Sequence, residues 1–278
     1  MPKWDAKEYL KFGDERTQPV RDLVGRIEIA HPRRIIDLGC GPGNSTEVLR
    51  RRWPNAEIVG LDNSEEMIQA AAGAYPQGKW VSADIGSWSA DAPFDIIFSN
   101  AALHWVPDHA RLFPRLLSQL APGGVLAVQI PAHHRSRLHH LIREVAEDPR
   151  WRHLLMKAAN AMTREPPSFY FDLLEPLTSR LSIWETDYYH LLESHSSLLE
   201  WFRATGLRPY LDVLEDDRQR QRFEEKLAEV FTQSIPPRHD GRVLFAFPRL
   251  FILAAPAASP AVRNHGTSRR PAGSRLEG

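Results

Sequence analysis

The sequence predicts an α/β protein with a doubly wound, mostly parallel sheet of seven strands, helices on both faces of the sheet, and a helical lid inserted late in the chain. Short apolar segments alternate with helix-type segments from about residue 33 to residue 132, which is the pattern of parallel strands joined by crossover helices. Beyond Pro131 the chain is mostly helical before its last strand. A helical insertion between late strands suits a lid over the ligand-binding edge of a sheet.

The predicted strands are short and apolar, and turn or helix-type sequence separates them. They cover residues 34–38, 57–62, 79–83, 94–99, 124–129, 182–190 and 250–254. The helices among the first five strands are predicted over residues 46–52, 65–74 and 111–120. Asn63 and Ser64 suit an N-cap for the second of these helices, because their side chains accept hydrogen bonds from the backbone N–H groups of a first turn.

The segments that flank this core are predicted to be helical or disordered. Helices are expected within residues 9–27, 136–146, 151–162 and most of 196–231, with a loop at Pro166-Pro167. Residues 256–278 consist mainly of Pro, Ala, Ser, Gly and Arg. Such a segment has almost nothing to bury, which predicts a disordered tail.

Composition and charge exclude several classes of partner. The 278 residues carry 35 Lys and Arg against 35 Asp and Glu, so no overall field attracts nucleic acid or an anionic membrane. No apolar run approaches the ~20 residues that span a bilayer, and the first residues lack the apolar core of a signal peptide. The single cysteine, Cys40, excludes an internal disulfide and fits a reducing compartment. We therefore expect a cytoplasmic protein.

A glycine loop follows the first predicted strand, in the order Asp37-Leu-Gly-Cys-Gly-Pro-Gly43. Glycines there allow a sharp turn and the close approach of a ligand to backbone N–H groups. A dinucleotide-binding turn needs a glycine at the position that Asn44 occupies. The Asp37 carboxylate would repel a pyrophosphate and attract an ammonium group. The loop therefore favours a zwitterionic nucleoside over a dinucleotide.

The loop resembles motif I of the class I S-adenosylmethionine-dependent methyltransferases, which have a Rossmann-like fold. Asp62 closes the second strand, where this family binds the ribose hydroxyls with an acid, and Asp84-Ile85 follows the third, where it contacts adenine. Asn100-Ala-Ala-Leu-His-Trp105 follows the fourth strand, near the transferred methyl group of the family. These loops lie at the carboxyl ends of successive strands, where ligands bind in such sheets.

Four longer segments are similar to the trans-aconitate 2-methyltransferases within this superfamily. They are Leu-Gly-Cys-Gly-Pro-Gly-Asn-Ser-Thr, Asn-Ala-Ala-Leu-His-Trp-Val-Pro-Asp-His, Ala-Thr-Gly-Leu-Arg-Pro-Tyr and Phe-Pro-Arg-Leu-Phe-Ile. The resemblance implies a single methyltransferase domain over residues 1–255, with a cofactor-binding core at 30–132 and a mostly helical substrate lid with late strands at 133–245. It implies S-adenosyl-L-methionine as cofactor, S-adenosylhomocysteine as product and a small tricarboxylate as substrate.

The resemblance and the residue types together give the candidate site. The predicted cofactor-binding residues are Asp37, Gly39, Gly41, Asn44, Asp62, Asn63, Asp84, Ile85 and Asn100. Asn44 is equally suited to capping the helix that follows it. The predicted substrate-binding residues are Tyr188, His190, Arg208 and Arg249, since arginine binds carboxylates through two hydrogen bonds.

The expected chemistry needs no general base, because a carboxylate is already ionised near neutral pH. His104 is a candidate for the methyl-transfer site, and a helix-cap role is equally open. The pairs His133-His134 and His139-His140 are interpreted as solvated, and no metal is expected. A monomer with no nucleic acid or membrane partner is expected. Two alternatives stay open: a methyltransferase for another small acid or a quinone-type ring, and a non-catalytic S-adenosylmethionine-binding protein.

Overall fold

A seven-stranded sheet forms the centre of the computed structural model, which describes residues 13–203, 205–214 and 216–257. The strands are β1 (Arg34–Leu38), β2 (Glu57–Asp62), β3 (Lys79–Ser82), β4 (Phe94–Asn100), β5 (Leu120–Pro131), β6 (Thr178–Leu192) and β7 (Val243–Pro256). Their order across the sheet is β3-β2-β1-β4-β5-β7-β6. Strands β1 to β5 pair in parallel, and β7 pairs antiparallel with β5 and β6. The predicted mostly parallel, doubly wound sheet is therefore confirmed.

Helices join and cover these strands in the described part of the chain. They are α1 (Gly13–Gly25), α2 (Asn44–Arg52), α3 (Glu65–Ala74), α4 (His109–Leu117), α5 (Arg137–Ala146), α6 (Arg152–Ala159), α7 (Pro167–Leu174), α8 (His195–Arg203), α9 (Arg208–Val213) and α10 (Asp217–Ser234). Helix α3 has its predicted bounds, and the Ser64 hydroxyl accepts a hydrogen bond from the Met67 N–H at 3.4 Å as its N-cap. Within these residues, no helix has the length and apolar character needed to cross a membrane.

Both faces of the sheet are buried, because successive strand residues point to opposite sides. On one face Ile35 and Phe98 pack with Leu23 of α1. On the other face Ile36 and Ile97 belong to a core that includes residues of α4 and α7. Burial on both faces accounts for the continuous apolar runs of the central strands.

The helices of the predicted lid have a hydrophobic core of their own. Residues of α5, α6, α8, α9 and α10 pack there with Phe245 and Phe247 from the first half of β7. The second half of the same strand carries Phe251 into the sheet core. Strand β7 therefore connects the two cores, and its middle lies between them.

Strands β5 and β6 extend beyond their predicted bounds at both ends, and α4 begins and ends earlier than predicted. Three further segments differ as follows. Strand β7 begins at Val243 rather than at residue 250. The prediction began too late because Pro248 interrupts the apolar pattern, yet the strand continues through this proline. Helix α7 begins at Pro167, where a loop was predicted; a proline in the first turn has no N–H that needs a partner. Pro256 belongs to β7, and residues 258–278 of the predicted tail lie outside the described residues.

Candidate active site

The glycine loop between β1 and α2 turns through left-handed backbone conformations. The φ angles are 73° at Gly39, 54° at Gly41 and 95° at Gly43. A Cβ added to Gly39 would lie 2.1 Å from the Cβ of Ala102. Glycine is therefore required at position 39 by both its backbone angle and its neighbour.

The backbone N–H groups of this loop bond within the protein. The N–H groups of Gly39 and Cys40 donate to the Leu61 carbonyl at 2.7 and 3.0 Å. The Gly41 N–H donates to Asp62 Oδ2 at 2.9 Å. These three N–H groups therefore have partners within the protein, and Gly39 and Gly41 remain predicted cofactor-binding residues that line a cavity at the carboxyl ends of β1, β2 and β4. A pyrophosphate would need such N–H groups as donors. Because they bond to Leu61 and Asp62, the loop still favours a nucleoside without a diphosphate.

Asp37 lies fully buried beneath the loop. Its Oδ2 accepts hydrogen bonds from the hydroxyls of Ser45 and Thr46, each at 2.6 Å, and its Oδ1 is buried with no hydrogen-bond partner. Burial raises the pKa of this carboxyl to about 6, against the two hydrogen bonds, which lower it. A buried carboxylate with one unpartnered oxygen favours a cationic or donating group on that side.

Asn44 does not cap α2. The N-cap position belongs to Gly43, which has no side-chain cap, and Asn44 is the first helical residue. The Asn44 side chain instead borders a small hollow that Thr17, Ser45 and Asn100 also line. Of the two roles left open for Asn44, the structure therefore excludes capping.

The first cavity opens at the carboxyl ends of β1, β2 and β4 and has an empty volume of about 710 Å³. It is lined by Gly39, Gly41, Pro42, Asp62, Asn63, Met67, Asp84, Ile85, Asn100, Ala101, Ala102, Trp105 and Val106. Seven of the nine predicted cofactor-binding residues line this cavity, and the two that do not are Asp37 and Asn44. Among the seven, Ile85 supplies an apolar surface.

The two acids of this cavity differ in burial. Asp62 is held at the end of β2, where Oδ1 accepts from the Ser64 N–H at 2.9 Å, and burial raises its pKa. The carboxylate also accepts from the backbone N–H groups of Gly41 and Asn63, and it retains a lone pair for one further donor. Asp84 is exposed, and its Oδ1 accepts from the Gly86 N–H at 3.1 Å, which fixes the turn after β3.

Asn100 and Ala101 form the junction between two cavities. Both residues line the first cavity and also a second one. The Oδ1 of Asn100 is buried with no hydrogen-bond partner. Ala101 has a φ of 53°, and its N–H donates to the Gln129 carbonyl at 2.9 Å. A strained non-glycine residue beside an unpartnered amide oxygen is typical of a functional site.

The second cavity lies under the lid and has an empty volume of about 560 Å³. It is lined by Asn100, Ala101, His104, Trp105, Pro131, His133, His139, Met162, Trp201, Thr205, Gly206, Phe247 and Arg249. The wall therefore combines aromatic rings, three imidazoles and one guanidinium group.

The imidazoles of His104, His133 and His139 form one cluster in this wall. Ring centroids are 5.2 Å apart for His104 and His133, and 4.2 Å apart for His133 and His139. Burial lowers the pKa of each, to about 3 for His133. The interpretation of the pairs at 133 and 139 as solvated is thus wrong for these two residues, which are 2% and 5% exposed. No group of three or more His, Cys, Asp or Glu side chains in the described part of the chain is arranged to hold a metal ion.

Arg249 is the predicted substrate-binding residue that does line the second cavity. It lies in the middle of β7 opposite Pro131 of β5 and is 4% exposed. Its guanidinium carbon lies 4.2 Å from the centroid of the Phe247 ring. A guanidinium group is planar and can bind a carboxylate through two parallel hydrogen bonds.

Comparisons with known proteins decide the family. The family described as a methyltransferase domain matches residues 35–124. A trans-aconitate 2-methyltransferase of Rhodopseudomonas palustris (strain BisA53) is 46% identical over 92% of this chain and 100% of its own length. Those of Azoarcus sp. (strain BH72) and Yersinia pseudotuberculosis are 44% and 46% identical over 91% of this chain, covering 99% and 98% of their lengths. This chain belongs to the trans-aconitate 2-methyltransferase family. The predicted family is therefore confirmed.

Solved structures agree with the fold of this family member. Phosphoethanolamine N-methyltransferase 2 of Haemonchus contortus, in complex with phosphomonomethylethanolamine and S-adenosylhomocysteine, superposes with a TM-score of 0.56 at 14% identity, over 86% of this chain and 53% of that chain. Coclaurine N-methyltransferase, bound to N-methylheliamine and S-adenosylhomocysteine, superposes with a TM-score of 0.51 at 14% identity, over 86% of this chain and 71% of that chain. At such identities the likeness concerns the Rossmann-like methyltransferase fold alone.

Three predicted substrate residues of this family member lie elsewhere. The Tyr188 hydroxyl donates to Asp22 of α1, and burial and that contact raise its pKa. His190 packs its ring on Trp201 at 4.7 Å, behind the cavity wall, and burial lowers its pKa to about 4. Arg208 begins α9 and does not line the second cavity. The sequence pattern could not place them, because it does not reveal which helix covers each part of a strand.

The cavity residues that sequence reasoning missed or set aside come mainly from the lid. Trp201 of α8 is 1% exposed and forms part of the cavity wall. Thr205 and Met162 carried no signal of their own. The adjacent pair His133-His134 could have indicated the cavity, since His133 lies two residues after the end of β5, where Pro131 pairs with Arg249 of β7.

Proposed function

We propose that this chain is an S-adenosylmethionine-dependent O-methyltransferase that esterifies one carboxylate of trans-aconitate and releases S-adenosylhomocysteine. The observation that carries the proposal is the junction at Asn100, where a cavity suited to a nucleoside meets a second cavity that holds Arg249. The curated relatives, which are named trans-aconitate 2-methyltransferases, support the choice of acceptor. We further propose that the enzyme acts in the cytoplasm, a reducing compartment to which its single buried cysteine is suited, and that it acts as a monomer.

The residues of the first cavity fit S-adenosylmethionine group by group. The unpartnered Oδ1 atoms of Asp37 and Asn100 are acceptors that suit the ammonium group of the methionine part. Asp62 retains a lone pair for a ribose hydroxyl at the end of β2. Asp84 suits the adenine amino group, and Ile85 suits a face of the adenine ring.

The chain's contribution to the transfer is orientation and exclusion of water. When bound, S-adenosylmethionine supplies an electrophilic methyl group on a sulfonium. Asn100 and Trp105, which line both cavities, fix the line between the donor site and the acceptor site. Orientation of two reactants accounts for roughly 7–11 kcal/mol of a barrier in favourable cases. Phe247, Trp201 and Met162 exclude water from the acceptor side.

The second cavity supplies what a carboxylic acid acceptor needs. Arg249 holds one carboxylate through its donor edge, so that another carboxylate is left beside Asn100 as the nucleophile. Because the nucleophile is ionised at neutral pH, no residue is required to remove a proton. His104 then serves as a wall and hydrogen-bonding residue rather than as a general base, since burial lowers its pKa well below its usual range.

A methyl-transfer assay tests the proposal directly. S-adenosylmethionine with a tritiated methyl group is incubated with the protein and trans-aconitate, cis-aconitate, isocitrate or a malonyl thioester. We expect base-labile label on trans-aconitate. Arg249→Lys keeps the charge and loses the two-pronged contact, so the KM for trans-aconitate should rise about tenfold to a hundredfold. Binding of S-adenosylhomocysteine, measured by calorimetry, should not change.

The matched control is Arg242→Lys, because Arg242 is a partly exposed arginine just before β7 that pairs with Asp240. It should leave both the KM and the affinity for S-adenosylhomocysteine unchanged. Label on another acid in preference to trans-aconitate would contradict the proposed substrate. Tight binding of S-adenosylhomocysteine with no label on any acceptor would contradict catalysis itself.

A further inference from the structure

The second cavity has fewer permanent cations than a tricarboxylate has charges. Among its described lining residues, Arg249 is the one arginine or lysine. Arg208, which was expected to share this task, does not line the cavity. A trianion enclosed beside a single guanidinium would leave negative charge without a counter-charge in a buried site.

The histidine cluster supplies the groups that can make up this difference. His133 lies between His104 and His139, and all three are at most 5% exposed. The Nδ1 of His133 lies 3.3 Å from the Thr163 carbonyl oxygen, which can only accept, so this nitrogen carries the hydrogen. The Nε2 of the neutral ring is then the atom with a free lone pair. The Nδ1 of His139 is fixed by the Ser136 hydroxyl at 2.7 Å.

The groups that face the cluster keep it neutral in the free enzyme. Arg249 of β7 and Arg164 of the loop before α7 place positive charge toward it. The imidazoles of His109 and His134 act on His104 and His133 in the same sense. These neighbours and burial lower the pKa of all three imidazoles. A carboxylate that enters the cavity reverses the sign of the local field.

We propose that binding of the tricarboxylate draws a proton from solvent onto the histidine cluster, so that an imidazolium joins Arg249 in holding the substrate. This inference rests on the proposed function. The bound acid then meets two cationic groups at the far side of the cavity. The carboxylate at the Asn100 junction has no arginine, lysine or histidine of the cluster holding it, and it stays nucleophilic toward the methyl group. The cluster is thus a proton-linked specificity element that favours acids with several carboxylates.

Calorimetry of the whole protein measures this proton directly. Trans-aconitate is titrated at pH 7 into protein saturated with S-adenosylhomocysteine, so that no turnover occurs, in phosphate, HEPES and Tris buffers. These buffers differ in ionisation enthalpy, and the slope of the observed heat against that enthalpy counts the protons taken up. We expect about one proton per bound trans-aconitate and an affinity that falls about tenfold per pH unit as pH rises.

Two variants locate the proton. His133→Gln removes the imidazole whose Nε2 has the free lone pair, so it should remove most of the uptake and weaken binding at least about tenfold. His153→Gln, at an exposed position of α6, is the control and should change neither quantity. If His133→Gln does not fold, the buffer dependence of the unaltered protein still decides the matter.

The outcomes separate this inference from the proposed function. Binding and methylation of trans-aconitate with heats that do not depend on the buffer would overturn the proton uptake and leave the function standing. Binding of S-adenosylhomocysteine without binding of trans-aconitate would overturn the proposed function, and the inference with it.

Discussion

Gly39 combines a left-handed backbone with a neighbour that leaves no room for a Cβ. We predict that Gly39→Ala lowers the free energy of unfolding by at least about 1–2 kcal/mol, the cost of that backbone for an L-residue, and abolishes binding of S-adenosylhomocysteine. Urea unfolding and calorimetry measure the two effects. Gly73→Ala is the matched control, because no atom lies within 4 Å of its added Cβ and it stands in α3. It should stabilise the protein by about 0.5–1 kcal/mol.

Gln129 is fully buried, and neither atom of its side-chain amide has a hydrogen-bond partner. It lies beside Asn100 in the β4–β5 register. An unsatisfied buried amide costs about 1–3 kcal/mol, so we predict that Gln129→Met raises the free energy of unfolding by about 1 kcal/mol or more. An unpartnered amide that destabilises the protein next to Asn100 is expected to help bind or position a ligand. The variant should therefore also have a lower kcat for methyl transfer.

Gln119 provides the comparison for this prediction. Its amide accepts from the Ala90 N–H and donates to the Arg115 carbonyl. Gln119→Met should therefore lose stability in the same urea titration. Equal losses in the two variants would show that the Gln129 amide is satisfied in solution, and would sink the prediction.

At the scale of elements, α2 is anchored by a carboxylate from the strand before it. Asp37 accepts from two hydroxyls of the first turn of α2, in place of a side-chain N-cap. Its pKa is raised to about 6 from 3.8 by burial. The folded protein therefore holds a proton that the unfolded chain releases, and stability is lost as pH rises from about 3.8 to 6.

The sign of this linkage gives a prediction for Asp37→Asn. The amide keeps an acceptor for the two hydroxyls and carries no charge, so at pH 8 the variant should be more stable than the unaltered protein by on the order of 1–3 kcal/mol. The advantage should shrink at pH 5. Binding of S-adenosylhomocysteine should weaken, because the proposed partner of the ammonium group is lost. Thermal unfolding at both pH values checks the first claim, and a variant less stable at pH 8 would refute it.

Strand β7 accounts for the position of the substrate cavity. Phe245 and Phe247 belong to the lid core, and Phe251 belongs to the sheet core. Arg249 stands between them on the same face of the strand. The Arg249 side chain lies at the boundary of the two cores and therefore faces the cavity between them. This position explains why a charged side chain is only 4% exposed to solvent.

At the scale of the whole molecule, burial of neutral histidines makes stability depend on pH. Burial lowers the pKa of His104, His109, His133, His139 and His190 from the usual 6.5. Each binds a proton only after unfolding, so stability is complete above about pH 6.5 and is lost as pH falls. We predict a loss of up to about 1.4 kcal/mol per pH unit for each histidine, with Asp37 offsetting one proton below pH 6.

Urea unfolding between pH 7.5 and 5 measures this slope. The variant His190→Phe removes one of the five groups, and its ring suits the apolar contact with Trp201 and Phe245. The slope should fall by about one proton in this variant. A free energy of unfolding that is flat over this range would contradict the prediction.

The fold was largely predictable from local sequence, and the substrate side of the site was not. The strands of the core, the glycine loop and the acids that follow β2 and β3 were located because periodicity and turn residues are local signals. Tyr188 and His190 share one face of β6, as alternation requires, yet one meets α1 and the other meets α8. Which helix covers each part of a face depends on contacts between distant segments.

The sequence by itself determined the sheet, the loop that excludes a dinucleotide, and the family with its methyl donor, because each depends on residues close together along the chain. Only the tertiary structure decided the acceptor side. It brought Arg249 of β7, His133 after β5 and His139 of α5 to one cavity, and it turned Tyr188 and Arg208 away. The physical reason is that this cavity lies between two hydrophobic cores, and the packing of those cores fixes which side chains face it.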